Sequence, residues 1–393
     1  MQHVRLAKRL DELGTETAFE VLARAKDLES QGHSVVHLEI GEPDMDTPGH
    51  ITRAAIKALT DGHTHYGPAA GLPELREIIA KDVAFTRKID VVPEQVIVTP
   101  GAKPIIFFTL LSLVEPGDEV IYPNPGFPIY ESMIRFCGAK PIPIPFIENN
   151  GYKLDLDRLA SKINSRTKVV IINSPHNPTG SVMSRKDVET LSTILSNNEH
   201  VHVLSDEIYK HIIYNKKHHS IASMRDLTSR TIILDGFSKT YAMTGWRLGY
   251  GIFPKYLVPH ITKLITNSVS CTASFIQIAA IQALTGPQQP ITDMVNEFKM
   301  RRDLIVKGLQ KIKGINCPRP DGAFYVFPDI SQTGIGSQEF QDRALAEAKV
   351  ALLSGTSFGE NGEGYVRLSY ANSQNNILSA IERLDDFVNK NMK

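Results

Sequence analysis

The sequence predicts an α/β protein, with a large domain built on a mainly parallel sheet flanked by helices and a smaller α+β domain. Short β-branched runs alternate with helical patterns through the middle of the chain, as happens when parallel strands are joined by crossover helices. Turn residues mixed with polar or ionisable groups come directly after five of those runs. The final third loses the alternation and keeps two strand-like runs among helical patterns. With 393 residues, the chain exceeds what one small core accommodates.

In chain order, residues 9–31 carry an amphipathic helical pattern. Six runs then read as strands: "QVIVT" (95–99), "DEVIY" (118–122), "KVVIIN" (168–173), "VHVLS" (201–205), "TIILD" (231–235) and "RLGYGIF" (247–253). "PIIFFTLLSLV" and "SRKDVETLSTILSNN" read as intervening helices. Beyond them come a helix around 289–313, strands at "GAFYVFP" (322–328) and "GYVRLSY" (364–370), and a closing helix near 373–390. These elements predict a large domain over 46–290 and a small domain from 1–45 together with 291–393.

Open parallel sheets bind ligands beyond the carboxyl ends of their strands. "PGAKP" comes after the first run, "PNPGFPIY" after the second, "SPHNPTG" after the third, "DEIYKH" after the fourth and "GFSKT" after the fifth. Five such endings on one edge describe a single pocket. Gly101 and Ala102 lead into a helix and leave backbone N–H groups for a phosphate. Ser238 and Arg247 add a hydroxyl and a planar, permanently charged fork. Asp206, at a strand end, needs a cationic partner if buried. Lys239 stands just beyond the apolar "TIILDGF", with only Ser238 between. Burying an ammonium is costly, and a Schiff-base amine supplies the reason for it. A phosphate, an aspartate facing a ring cation and an aldehyde-binding lysine together point to pyridoxal phosphate, whose ring is an electron sink.

Composition excludes other classes. Lys plus Arg and Asp plus Glu stand at 43 each, so no basic field invites nucleic acid or a membrane surface. Cys137, Cys271 and Cys317 are far apart with no CxxC pair, which fits a reducing compartment and no zinc site. The N-terminal stretch is charged throughout and lacks an apolar signal core. "PIIFFTLLSLV", the longest apolar run, is too short to span a bilayer. We expect a soluble cytoplasmic protein. "GTSFG" (355–359) fits a hydrolase elbow, but no helical pattern comes after it and no histidine lies beyond His260. His211, His218 and His219 come without HExxH, and no G-x-G-x-x-G stands after a strand.

The motifs "NSPHNPTG", "SDEIY", "SKTYAMTGWRLGY" and "YVRLSYA", in that order, resemble the fold-type I pyridoxal-phosphate aminotransferases, class I/II, of aspartate aminotransferase type. The likeness runs from "LEIGEPDMDTP" (38–48) to "GYVRLSYA" (364–371). It implies that Lys239 forms the Schiff base with pyridoxal 5'-phosphate and later moves the proton between Cα and C4′. Asp206 then pairs with the pyridine nitrogen, and Tyr209 and Asn177 with the ring's phenolic oxygen. Gly101, Ala102, Lys103, Ser238 and Arg247 surround the phosphate, and Phe127 stacks on the ring. Arg367 clamps the substrate α-carboxylate, with the Gly41 backbone and Asn177 beside it. Tyr66, in "HYGPAAGLPELREI", matches a tyrosine that reaches the neighbouring subunit's phosphate, which implies a homodimer with shared sites.

There are departures from the family pattern. Phe127 stands where many aspartate-specific members have Trp, Gly236 where some have a phosphate-binding serine, and Met45 where Phe is usual. No residue matches the second arginine by which animal-type enzymes read a side-chain carboxylate, and the resemblance links Lys103 to acidic substrates instead. The implied reaction moves the amino group of an L-amino acid, aspartate first, to a 2-oxo acid such as 2-oxoglutarate. An alanine, aromatic or specialised donor, or a β-lyase or synthase of the same fold, is the alternative. Without the resemblance the residues have plainer readings. Asp206 suits a helix N-cap, Asn177 a turn, Phe127 a core position, Arg367 an ordinary ion pair and Trp246 packing.

Overall fold

The structure is a computed structural model and describes residues 6–147 and 151–391. The first five residues and the last two of the predicted small domain lie outside the described residues. Seven strands form the central sheet: β1 (Val96–Thr99), β2 (Glu119–Pro123), β3 (Lys140–Ile144), β4 (Thr167–Asn173), β5 (His202–Asp206), β6 (Thr231–Gly236) and β7 (Gly249–Ile252). Their spatial order is β1-β7-β6-β5-β4-β2-β3. From β6 across to β3 every pairing is parallel. β7 runs antiparallel to both β1 and β6.

The alternation of side chains along these strands sorts the core into two faces. Ile97, Val169, Ile171, Leu204 and Ile232 join one cluster, with the helices Lys103–Leu113 and Ile129–Phe136. Val170, Ile172 and Val203, one residue out of step, pack instead with Val188, Leu191 and Leu195 of the helix Arg185–Ser196. Val96, Val98 and Ile233 pack with the helices Gly49–Thr60, Pro73–Arg87 and Ser274–Thr285. Both faces are covered, which is why the strands read as near-continuous apolar runs. Ser184 caps the helix Arg185–Ser196 in a reciprocal box with Asp187.

The structure departs from expectation in four places. β3, "KPIPI", does not read as a strand, because Pro141 and Pro143 cannot donate to a ladder; it is an edge strand paired only to β2, where prolines are tolerated. The helical pattern of 9–31 divides into a 3₁₀ turn at Lys8–Leu10 and a helix at Thr17–Ser30. Gly14 lies in the break, its N–H donating to Ser132 Oγ at 2.9 Å. The strand expected over 322–328 shrinks to Tyr325–Val326, since Ala323 has φ +54 and Pro328 has no N–H. It pairs antiparallel with Val366–Ser369, which pairs in turn with Leu353–Ser354. The helix expected over 289–313 ends at Leu309, and the closing helix spans Gln374–Asn391.

The direction of β7 decides which residues share an edge of the sheet. Gly249 lies opposite Thr99 on one side and Gly236 on the other. The start of β7 is therefore level with the carboxyl ends of β1 and β6, and Arg247 emerges on the same edge as Lys239 and Asp206. Among the described residues no helix is long and apolar enough to cross a membrane.

A Cβ on Gly249 would stand 2.6 Å from the Ala102 nitrogen and 2.7 Å from the Gly101 carbonyl carbon. Backbone there has no room to yield, so Gly249→Val should destabilise the fold by about 1–3 kcal/mol, the usual range for overpacking. Thermal unfolding of the variant beside the parent protein measures this.

Candidate active site

A cavity of about 850 Å³ opens at this edge of the sheet. The ends of β5 and β6 form its floor, the start of the helix Lys103–Leu113 one wall, and Tyr325 and Arg367 of the C-terminal sheet another. Glu16 and the helix Thr17–Ser30 border it from the N-terminal side.

Lys239 comes just after β6 in a tight turn, in which the Met243 N–H donates to the Ser238 carbonyl at 3.1 Å. The lysine Nζ donates to the Gly41 carbonyl at 2.6 Å. Burial pulls its pKa down to about 8; Glu42 opposes the shift, and the Arg367 and Arg247 guanidinium groups add to it. An amine so placed is partly neutral near physiological pH and therefore nucleophilic.

Asp206 ends β5 and is buried. Tyr130 Oη donates to its Oδ2 at 2.6 Å, and the Ile208 N–H to its Oδ1 at 3.2 Å. Burial pushes its carboxyl up to about 6, and the nearby Asp235 and Glu207 push the same way. A carboxylate in this condition lacks a cation, and a protonated ring nitrogen would supply one. Tyr209 lies one turn on, its hydroxyl 2.8 Å from that of Tyr325.

Arg367 comes from the middle strand of the C-terminal sheet. Its Nη1 donates to Asn177 Oδ1 at 3.3 Å and its Nη2 to the Glu39 carbonyl. The guanidinium lies 4.5 Å over the Tyr325 ring and 4.8 Å over the Phe358 ring, a cation–π clamp. Its Nε is buried and has no hydrogen-bond partner among the described residues. A permanent cation with an idle donor, facing a cavity, is suited to a carboxylate.

At the other end, Gly101 has φ +84, and a Cβ there would overlap the Arg247 guanidinium. Ala102 is the N-cap of the helix Lys103–Leu113 and contributes no side-chain cap. Pro104 has no N–H and the Ile105 N–H donates to the Ala102 carbonyl at 3.1 Å, so among the first amides it is those of Ala102 and Lys103 that are left for an outside acceptor. Arg247 is exposed, has φ +56, and donates from Nη1 to the Thr244 carbonyl at 2.9 Å. Ser238 lines the same cavity. These groups form a cationic, donor-rich cradle that fits a phosphate.

The structure thus brings Gly41, Ala102, Lys103, Phe127, Asn177, Asp206, Tyr209, Ser238, Lys239, Arg247 and Arg367 to one cavity, with Gly101 directly behind Arg247. Tyr66 does not join them; it is 89% exposed on the surface of the single chain. Trp246 packs half-buried and donates from Nε1 to Thr47 Oγ1 at 2.9 Å. Sequence reasoning missed Tyr130, Tyr325 and Glu16. Tyr130 closes the strand-end segment "PNPGFPIY" and Tyr325 sits in an expected strand, so both had a signal. Glu16 had none.

A two-sided, mainly parallel α/β sheet that sets a desolvated lysine, a buried carboxylate and a phosphate cradle on one edge defines a pyridoxal-phosphate enzyme of fold type I. The sequence model of the family "Aminotransferase class I and II" matches residues 33–384, and the chain belongs to that family. The chain is 41% identical to an aspartate aminotransferase of Pyrococcus abyssi over 371 residues, 93% of each protein. It is 39% identical to aromatic-amino-acid aminotransferase 2 of Thermococcus litoralis, over 91% of this chain and 93% of that one. The solved aspartate aminotransferase of Thermus thermophilus with maleate superposes with a TM-score of 0.93 at 36% identity, covering 97% of this chain and 99% of that one. The protein is accordingly a transaminase that depends on pyridoxal phosphate.

Because Lys239 attacks an aldehyde only as the neutral amine, capture of pyridoxal phosphate by the apoprotein should speed up as pH rises. The rate should grow toward a plateau above about pH 8, the value to which burial lowers this amine. Stopped-flow absorbance across pH 6–10 reads it, and a rate still rising at pH 10 with no plateau, as an ordinary lysine near 10.5 would give, would contradict the desolvated setting of Lys239.

Proposed function

We propose that the protein moves the amino group of an L-amino acid, aspartate first, to a 2-oxo acid such as 2-oxoglutarate, with Lys239 as the proton carrier. The observation that carries this reading is the placement of Lys239, Asp206 and Arg367 around one cavity. The names of several relatives support aspartate, and maleate, a dicarboxylate, accompanies the Thermus thermophilus structure.

When bound, pyridoxal phosphate supplies an aldehyde for the amino group and a protonated ring that draws electrons from Cα. In our reading Ser238, Arg247 and the Gly101–Lys103 amides hold its phosphate. Asp206 keeps the proton on the ring nitrogen, and its raised carboxyl reverts toward the charged form once that cation is present. Tyr209 and Asn177, on the cavity wall, would donate to the ring oxygen, and Phe127 would cover one face. The Arg367 fork takes the substrate α-carboxylate, beside Asn177 and the Gly41 backbone, and turns the Cα–H toward Lys239. Released as a free amine, Lys239 removes the Cα proton and returns it at C4′. For the incoming 2-oxo acid the same residues would serve again, Arg367 on its carboxylate and Lys239 delivering a proton to its Cα.

We further propose a cytoplasmic homodimer. Tyr66 from a second copy of the chain would complete the phosphate cradle, which explains an aromatic left 89% exposed. Three free thiols, at Cys137, Cys271 and Cys317, support a reducing compartment. The domain division at 46–290 is supported by the central sheet, whose strands all fall within residues 96–252.

The purified protein with pyridoxal phosphate should show a visible absorbance band that collapses on adding aspartate and returns with 2-oxoglutarate. A band that aspartate leaves unmoved would overturn the donor. Lys239→Ala should abolish turnover while the fold persists by circular dichroism. Arg367→Ala removes a buried charge contact worth roughly 2–5 kcal/mol, so kcat/KM for every amino-acid donor should fall at least about thirtyfold.

A further inference from the structure

The ions around the cavity are mostly settled by partners of their own. Asp44 pairs with Arg301 at 2.7 Å, Lys26 with Glu29 at 2.8 Å, and His37 with Glu39 at 2.8 Å. Glu42 accepts from Thr244 Oγ1 at 2.7 Å. Lys103 is different. Its ammonium lies 5.6 Å from the centre of the Phe127 ring, within the cavity wall, and its carboxylate partner among the described residues is Glu16.

Glu16 is placed as a strap is. On one side of it the Gly14 N–H is tied to Ser132 Oγ at 2.9 Å, on the helix Ile129–Phe136. On the other, the helix Thr17–Ser30 is anchored by only two fully buried residues, Val21 and Ala25. They pack against Phe327, Leu353 and Phe358 of the C-terminal part. Glu16 is the N-cap residue of that helix, yet its side chain makes no cap bond. Turning the side chain away from Lys103 therefore breaks no cap hydrogen bond of the helix. The pair is also partly open to solvent, with side chains 42% and 24% exposed, so holding it together contributes little.

We propose that Glu16 is a resident competitor for the side-chain carboxylate of the substrate, held on Lys103 until a dicarboxylic substrate displaces it. This rests on the aminotransferase reading above. With Arg367 committed to the α-carboxylate, Lys103 is the cation that a second carboxylate finds. An acidic side chain must first break the Glu16 pair. A neutral or aromatic side chain leaves the pair closed and meets a wall that carries no net charge at that point. Glu16 thus lowers the preference for acidic substrates and keeps neutral ones acceptable to the same cavity.

The test measures binding of succinate and of butyrate, equal in length, to the protein loaded with pyridoxal phosphate, by titration calorimetry. Glu16→Gln should raise the ratio of succinate to butyrate affinity roughly two- to fivefold, the range an exposed ion pair permits. Glu16→Ala should do the same, and Lys103→Met should reduce the ratio. An unchanged or lower ratio in both Glu16 variants overturns the proposal, as does a Lys103→Met protein that keeps the parent ratio. Transamination by the parent protein is followed separately by the absorbance cycle with aspartate. If that cycle runs while the Glu16 variants leave the ratio unmoved, the competitor fails and the aminotransferase reading stands. If the parent captures no cofactor, the underlying reading fails.

Discussion

Everything at this site depends on keeping a half-buried amine poorly solvated. Lys239 can act as a neutral base only where water does not stabilise its ammonium. The molecule meets that condition by offering Nζ a backbone carbonyl, that of Gly41, and, among the described residues, no carboxylate in direct contact. The neighbouring carboxylates are held elsewhere: Glu42 by Thr244 and Asp206 by Tyr130. Beneath them a buried ion network ties the ends of β5 and β6 together. Arg87 reaches Glu207 at 2.9 Å and also Asp235, and Lys210 reaches Asp235 at 2.7 Å. Buried charges are costly unless fully satisfied. Here they are multiply paired, so the strands that carry Asp206 and Lys239 keep one mutual position.

Much of this was legible because the strands announce themselves. β4, β5 and β6 are buried on both faces, so "KVVIIN", "VHVLS" and "TIILD" are continuous apolar runs, and the residues just beyond them lie on one edge. Lys239 and Asp206 were readable for that reason, with Arg247 only eight residues beyond Lys239. Legibility failed where a residue's position depends on something remote in sequence. β3 reads as a non-strand until its edge location is known. The direction of β7 is not written in "RLGYGIF", although it decides where Arg247 points. Ala323 ends a strand through a left-handed backbone that an alanine does not advertise. Glu16 meets Lys103 across 87 positions, and no periodicity in either segment encodes that meeting.

The cavity is consequently a composite. The sheet edge supplies fixed chemistry, the C-terminal sheet supplies Arg367 on an aromatic clamp, and the N-terminal strap supplies a movable carboxylate. Rigidity is graded in the same order. Arg367 lies between two rings with its Nη groups bonded, whereas the helix behind Glu16 is lightly anchored. Such grading lets the reaction geometry stay constant while the part that meets the substrate side chain adjusts.

The antiparallel course of β7 also governs the order in which this edge comes into being. β1 stands at the margin of the sheet, and its partner there is β7. Residues 96–99 therefore leave the ribosome far ahead of residues 249–252, and until those arrive β1 lacks its partner strand. An apolar strand waiting that long is a target for misassociation, and its distant closure slows folding. The anion cradle, whose glycine rests against that late strand, accordingly cannot take shape until well over half of the chain has emerged.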